Sequence, residues 1–158
     1  MLEAPEHDAR LSSLERVVHA LGLPRGGVRR AVARVLLEPP ASLFCASLRI
    51  LEDGEGSWRH HLMDCVDAVR RSRSAAELET PPARELPERL RALMAGVAET
   101  LAAECGFGAP QWTSAVGCLD RPWFVSGFES LKASALVESP VPFRSRNVFV
   151  LANFLERA

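Results

Sequence analysis

The 158-residue chain carries 19 Lys and Arg against 20 Asp and Glu, a net charge of -1, with 47% hydrophobic and 25% charged residues. That length buries a core without disulfide or metal staples, and the charge balance gives no global pull toward nucleic acid or anionic lipid. No run approaches the about eighteen apolar residues needed to cross a bilayer, and the opening MLEAPEHDARL lacks the basic and apolar regions of a secretory leader, which points to the cytoplasm.

Taken in chain order, Ser12-x-x-Glu15 is a capping box that opens a helix with Leu14, Val17, Val18 and Leu21 on one face, ended by Gly22 and Pro24. A second helix from Gly27 to Leu37 turns Val28, Val32, Val35 and Leu36 inward and Arg29, Arg30 and Arg34 outward, and Pro39 and Pro40 close it. Residues 41–51, ASLFCASLRIL, are apolar enough for a buried helix, with a short strand as the alternative that periodicity alone leaves open. Asp53 to Gly56 reads as a turn and Ser57 as the cap of a helix in which Trp58, Leu62, Cys65, Val66 and Val69 face inward and Arg59, Asp67, Arg70 and Arg71 face water. The run SRSAAELETPPARE, 72–85, loses the apolar period and contains Pro81 and Pro82, so it reads as a linker or surface crossing. The one candidate domain boundary falls there, between a helical front segment, 1–80, and a helix plus aromatic C-terminal partner-binding module, 81–158, with a single compact domain as the alternative. The strongest helical pattern follows: Leu86, Leu90, Leu93, Val97 and Leu101 form a stripe flanked by Met94 and Ala98, with Pro87 in the first turn and Gly106 at the stop.

The character then changes, because eight of the ten Phe and Trp residues lie from Phe107 onward. Pro110 opens a short helix bearing Trp112, and the turn Asp120-Arg121-Pro122 delivers Trp123 and Phe124. A second capping box, Ser126-x-x-Glu129, predicts a helix carrying Phe128, Leu131, Ala135 and Leu136, terminated by Ser139-Pro140. One short strand is expected at Val148 to Val150, before a final helical turn. The fold class is therefore all-α, an irregular bundle of about six or seven helices with an aromatic-rich C-terminal module.

Candidate chemistry is sparse. Cys45, Cys65, Cys105 and Cys118 are widely spaced, form no C-x-x-C pair and read as small buried hydrophobes. His60, His61 and Cys65 lie close enough along one helix to share a metal ion, but a zinc site needs further ligands and no matching pair occurs elsewhere, so no cofactor is expected and a metal-dependent enzyme is a distant alternative. No nucleophile elbow or phosphate loop is present, and no catalytic role is expected. Arg25, Arg29, Arg30 and Arg34, on a turn and helix after a first helix, loosely imitate a basic helix-turn-helix and make a DNA-binding regulator the main alternative. The favoured reading rests on the C-terminal third: Trp123, Phe124 and Phe143 adjoin Pro-marked turns and stand beside Arg121, Arg144 and Arg146. Aromatic rings and guanidinium groups together are enriched where proteins dock on other proteins. The chain has a single lysine, Lys132, and arginine in its place together with abundant alanine suggests a GC-rich bacterial genome.

The stretch Asp120 to Ala158 resembles the tail of bacterial proteins, often carrying an XRE-type helix-turn-helix in front, that look like antitoxins encoded beside nucleotidyltransferase-like toxins. The features that carry the resemblance are Pro122-Trp123-Phe124, Leu131, Ala135-Leu136, Ser139-Pro140, Phe143-Arg144, Arg146 and Phe149. They cover about a quarter of the chain, and the front half departs from the family in having no recognisable XRE-type domain. The resemblance implies a protein that neutralises its partner by steric docking. Arg144 and Arg146 would face acidic metal-binding carboxylates of the toxin, while Trp123, Phe124 and Phe143 fill its pockets.

Overall fold

Six α-helices and one two-stranded sheet make up the regular structure of residues 38–156, the part of the chain that the computed structural model describes. The fold is all-α, as the periodicity predicts. The helices expected around residues 12–21 and 27–37 lie outside the described residues.

Helix α1, Leu43–Asp53, starts where the Ser42 hydroxyl accepts the Cys45 amide proton at 3.2 Å, satisfying one of the free donors at the helix end. Its buried residues, Leu43, Ala46, Ser47 and Ile50, recur at helical spacing, which removes the strand alternative. Gly54, at φ 90°, reverses the chain in a conformation that glycine adopts without steric cost, and a 3-10 turn at Glu55–Ser57 leads into α2, Trp58–Ser72. Ser57 is not the cap expected of it: its backbone is already helical and its hydroxyl donates back to the Gly54 carbonyl at 2.7 Å. Helix α2 buries Leu62, Met63, Cys65, Val66 and Val69 and packs on α1.

The segment 72–85 is a fastened crossing rather than a linker. It contains a single-turn helix, α3, Ala76–Glu79, and buries Glu77, Leu78 and Ala83. The Ala83 amide donates to the buried Ser47 hydroxyl on α1 at 2.8 Å, and the Leu78 carbonyl accepts the indole proton of Trp112 at 2.8 Å. The expected boundary between 1–80 and 81–158 is accordingly replaced by one at residue 38: Pro39–Ala158 is one compact unit, and the other, Met1–Glu38, lies outside the described residues except for Glu38. Short turns with few large apolar residues lose their period in sequence while their backbone remains tied to the core.

Helix α4, Glu88–Cys105, is the centre of this unit. Ten of its residues are buried, including the run from Ala92 to Ala98 without interruption, so it is enclosed on every side rather than along one stripe. Pro87 stands at its N-cap, one position earlier than expected, with its carbonyl accepting from Leu90 and Arg91. The C-terminal stop is as the sequence predicts. Gly106 is left-handed at φ 79°, its amide donates to Ala103, and Phe107 donates to Ala102 at 2.7 Å, the double bond pattern that satisfies a helix's last carbonyls.

Beyond α4 the chain forms a 3-10 turn at Gln111–Ala115, strand β1 at Trp123–Phe124, a 3-10 turn at Glu129–Leu131, helix α5 at Lys132–Glu138, helix α6 at Val141–Arg144 and strand β2 at Val148–Phe149. The strands pair in parallel, Trp123 opposite Val148 and Phe124 opposite Phe149, so two short strands occur where one was expected. The capping box at Ser126 is not formed. Gly127 takes φ 71°, Phe128 is the extended residue before the 3-10 turn, and the buried Ser126 hydroxyl has no partner among the described residues. Ser139 ends α5 and is buried instead against β2, where it accepts the Val150 amide proton at 3.2 Å.

Candidate functional site

The C-terminal module divides the residues singled out from sequence into two sets. Arg121 and Arg144 are exposed, and Trp123 and Phe124 are half-buried, so these four reach the surface. Phe143 and Arg146 do not: they are 1% and 6% exposed, and their expected role as contacts to another protein is corrected by what they touch.

Phe143 is on α6, whose single turn follows Pro140 and presses the ring onto Gly96 of α4. A Cβ at position 96 would stand 2.5 Å from the Phe143 ring, so the missing side chain is what lets the ring in. The ring also meets Phe154 edge-on at 6.0 Å. Arg146 makes a forked pair with Glu99 of α4, with contacts of 2.6 and 3.2 Å, and donates to the Thr113 carbonyl at 2.8 Å and the Pro142 carbonyl at 2.7 Å. Burial would raise the Glu99 pKa, but the hydrogen bonds from Arg146 and Thr113 and the charge of Arg146 outweigh it and hold the carboxyl below its ordinary value. The guanidinium expected to seek a foreign carboxylate is paired with one from its own chain.

Trp123 stands in a ring of neighbours drawn from three elements. Trp58 of α2 meets it edge-on at 6.2 Å, Phe154 stacks on Trp58 at 6.2 Å, and the Arg89 guanidinium lies 5.6 Å from the Trp123 ring centre while paired with Glu55. Glu55, Gly56, Trp58, Arg89, Trp123 and Val125 line an open depression of about 350 Å³. Phe124 stacks on Phe149 at 5.0 Å and receives Lys132 over its face at 5.4 Å. Each ring thus has one side spent on the chain itself.

The exposed apolar surface lies next to these residues in sequence rather than on them. Phe128, Leu136, Val137 and Val141 are 66%, 48%, 81% and 66% exposed, and of the large exposed hydrophobics among the described residues only Leu51 lies elsewhere. The sequence pattern put Phe128 and Leu136 on one helix without singling them out as surface contacts, and passed over Val137 and Val141. A signal was present: Ala135-Leu136-Val137 sweeps about 200° of a helix, more than one buried face takes, and once Ala135 is buried its two successors must point away. Lys132 and Glu129 pair at 2.6 Å at the start of α5, and Arg144 closes α6, so the apolar stretch is bordered by charge.

The histidine-rich turn of α2 differs from expectation in one member. Cys65 is fully buried, with its thiol pushed up to about 12 by burial and by the nearby Glu77 and Cys45, and its sulfur does not group with the histidine nitrogens. Asp64 takes its place, since donor atoms of His60, His61 and Asp64 lie within 4.8 Å of one another. Of the cysteines, Cys118 is exposed and Cys45 and Cys105 are intermediate, so the expectation of burial holds fully for Cys65 alone. Arg25, Arg29, Arg30 and Arg34, the DNA-binding candidates, lie outside the described residues. No described helix is long and apolar enough to cross a membrane. No protein-family model, no curated protein and no solved structure matches the chain. What the C-terminal face offers chemically is adhesion: apolar side chains in water, two half-covered aromatic pairs and exposed guanidinium groups.

Proposed function

We infer that this protein acts by docking on another protein through its C-terminal module, in the manner of an antitoxin that covers a partner's working surface, and performs no chemistry of its own. The observation that carries the reading is the exposure of Phe128, Leu136, Val137 and Val141, four large apolar side chains within a span of fourteen residues. Covering such side chains is worth about 25 cal/mol per Å² of apolar area, and clusters of them with aromatic and arginine neighbours mark binding surfaces. In this reading Val137, Val141, Leu136 and Phe128 supply the apolar contact, Trp123 and Phe124 its aromatic margin, and Arg121 and Arg144 its charged rim. Phe143 and Arg146 stand behind it and fix its shape. The resemblance of Asp120 to Ala158 to antitoxin tails supplies the class of partner, a nucleotidyltransferase-like toxin whose acidic metal-binding groups suit the exposed arginines.

The test replaces Val137 by Glu and Val141 by Ser in one chain, and separately Arg121 and Arg144 by Glu. All four side chains are exposed, so the far-ultraviolet spectrum and melting temperature should stay near those of the parent. Co-expression with a nucleotidyltransferase-like toxin, sought first in the gene beside this one, should show lost copurification and restored growth arrest for the first variant. Undiminished neutralisation by both variants sinks the reading.

A further inference from the structure

We propose that the start of α2 and the end of α1 form a binding site for a divalent transition-metal ion, zinc first among them, with His60, His61 and Asp64 as ligands and Asp53 as the carboxylate that orients His61. The site shares no residue with the docking face and does not depend on it.

Local geometry assembles the ligands. His60 and Asp64 are one helical turn apart on α2, and His60 Nε2 lies 3.6 Å from Asp64 Oδ2. His61 follows His60 with ring centres 5.2 Å apart and planes inclined by 55°, and donor atoms of all three residues lie within 4.8 Å of one another. Zinc bonds of about 2.0–2.2 Å put tetrahedral donors about 3.4 Å apart. The His60–Asp64 spacing is already near that value. The remaining closure would come from turning the His60 side chain, which is 73% exposed.

The strongest indication is how His61 is held. Its side chain is only 10% exposed, yet Nε2 lies 2.7 Å from Asp53 Oδ2, brought there because Gly54 reverses the chain immediately after α1. With Nε2 donating to that carboxylate, the other ring nitrogen, Nδ1, is the one a metal would take. A carboxylate behind a histidine is the arrangement that fixes ring and tautomer for a metal. Two imidazoles and one carboxylate suit borderline ions such as zinc, cobalt and nickel in preference to magnesium or calcium, with water completing the shell. The same hairpin carries Glu55 and Trp58, which hold Arg89 and Trp123, so an ion there braces the turn that supports the aromatic cluster.

The experiment titrates the tag-free full chain with zinc by calorimetry and with cobalt by visible absorption. The expected result is one ion per chain and a cobalt spectrum of low coordination number. His60→Ala, His61→Ala and Asp64→Asn should each weaken binding at least about tenfold, and Asp53→Asn by about 10- to 100-fold. A His7→Ala, His19→Ala double variant should bind as the parent does, since it removes the other two histidines of the chain. His60 and Asp64 are exposed enough that their variants keep the fold, which the far-ultraviolet spectrum checks. Absence of binding to the parent, parental affinity in the His60, His61 and Asp64 variants, or loss of binding in the His7/His19 variant overturns the proposal.

Discussion

Arg146 joins three parts of the molecule through one planar group: Glu99 on α4, the carbonyl of Thr113 in the following 3-10 turn, and the carbonyl of Pro142 on α6. Arg146→Ala would strand Glu99 and take one of two donors from each of the Thr113 and Pro142 carbonyls, which keep Val116 and Ser145, a loss of about 3 kcal/mol by analogy with broken buried pairs, with the partial exposure of Glu99 drawing it toward the lower end. Urea unfolding at neutral pH measures it, and a loss below about 1 kcal/mol would place the pair among ordinary surface bridges. The pH dependence has a definite sign. Glu99 has a lowered pKa in the folded chain, so its contribution is complete above the unfolded value of about 4.3 and disappears as pH falls through the folded one. Stability of the parent should therefore fall more steeply than that of Arg146→Ala on acidification below about pH 5, the two curves converging. Parallel curves would mean that the guanidinium does not hold that carboxyl down.

At the scale of elements, the crossing of α6 over α4 rests on the void at Gly96 that the Phe143 ring fills. Gly96→Ala sets two effects against each other. Alanine favours a helix interior by about 1 kcal/mol over glycine, but its methyl would lie 2.5 Å from an aromatic carbon in a ring that is 1% exposed and backed by Phe154. A buried ring cannot withdraw as a flexible chain end can, and overpacking costs about 1–3 kcal/mol, so the substitution should lower the melting temperature. Adding Phe143→Leu should recover part of it, and a Gly96→Ala protein more stable than its parent would show that α6 yields freely. This crossing also marks where the sequence stops being readable. Helices α2 and α4 are legible because a 3.6-residue apolar period runs through each, with Gly106 as the stop of α4, whereas in α1 the period alone leaves helix and strand open although Ser42 and Gly54 bound it. Helices α3 and α6 have four residues each, too few for any period, and are held by distant partners such as Ser47, Trp112 and Gly96. The candidate site was legible in the same measure. Aromatic density located the module, but the side each residue presents depends on tertiary contacts, which drew Phe143 and Arg146 inward and left Phe128 and Leu136 in water.

For the whole molecule the question is where the chain can be divided. Helix α4 is buried around its full circumference, and the elements that cover it come from both sides of it in sequence: α2 before it, α6 and β2 after it. A fragment beginning at residue 81 keeps the second set and loses the first, together with Leu43, Ile50, Leu62, Val66 and Val69 from the common core. The apolar surface of α4 left in water by that cut has no replacement, and each fully buried aliphatic side chain re-exposed removes about 1.5–3 kcal/mol from a domain whose net stability is only about 5–15 kcal/mol. A fragment of residues 39–158 removes none of this core, because the compact unit begins at Pro39. The expected outcome is a single cooperative thermal transition for 39–158 and none for 81–158, followed by circular dichroism and by amide exchange at Leu93, Val97 and Leu101. Slow exchange at those three amides in the 81–158 fragment would show that the C-terminal half closes its own core, and would restore a domain boundary at the Pro81-Pro82 crossing.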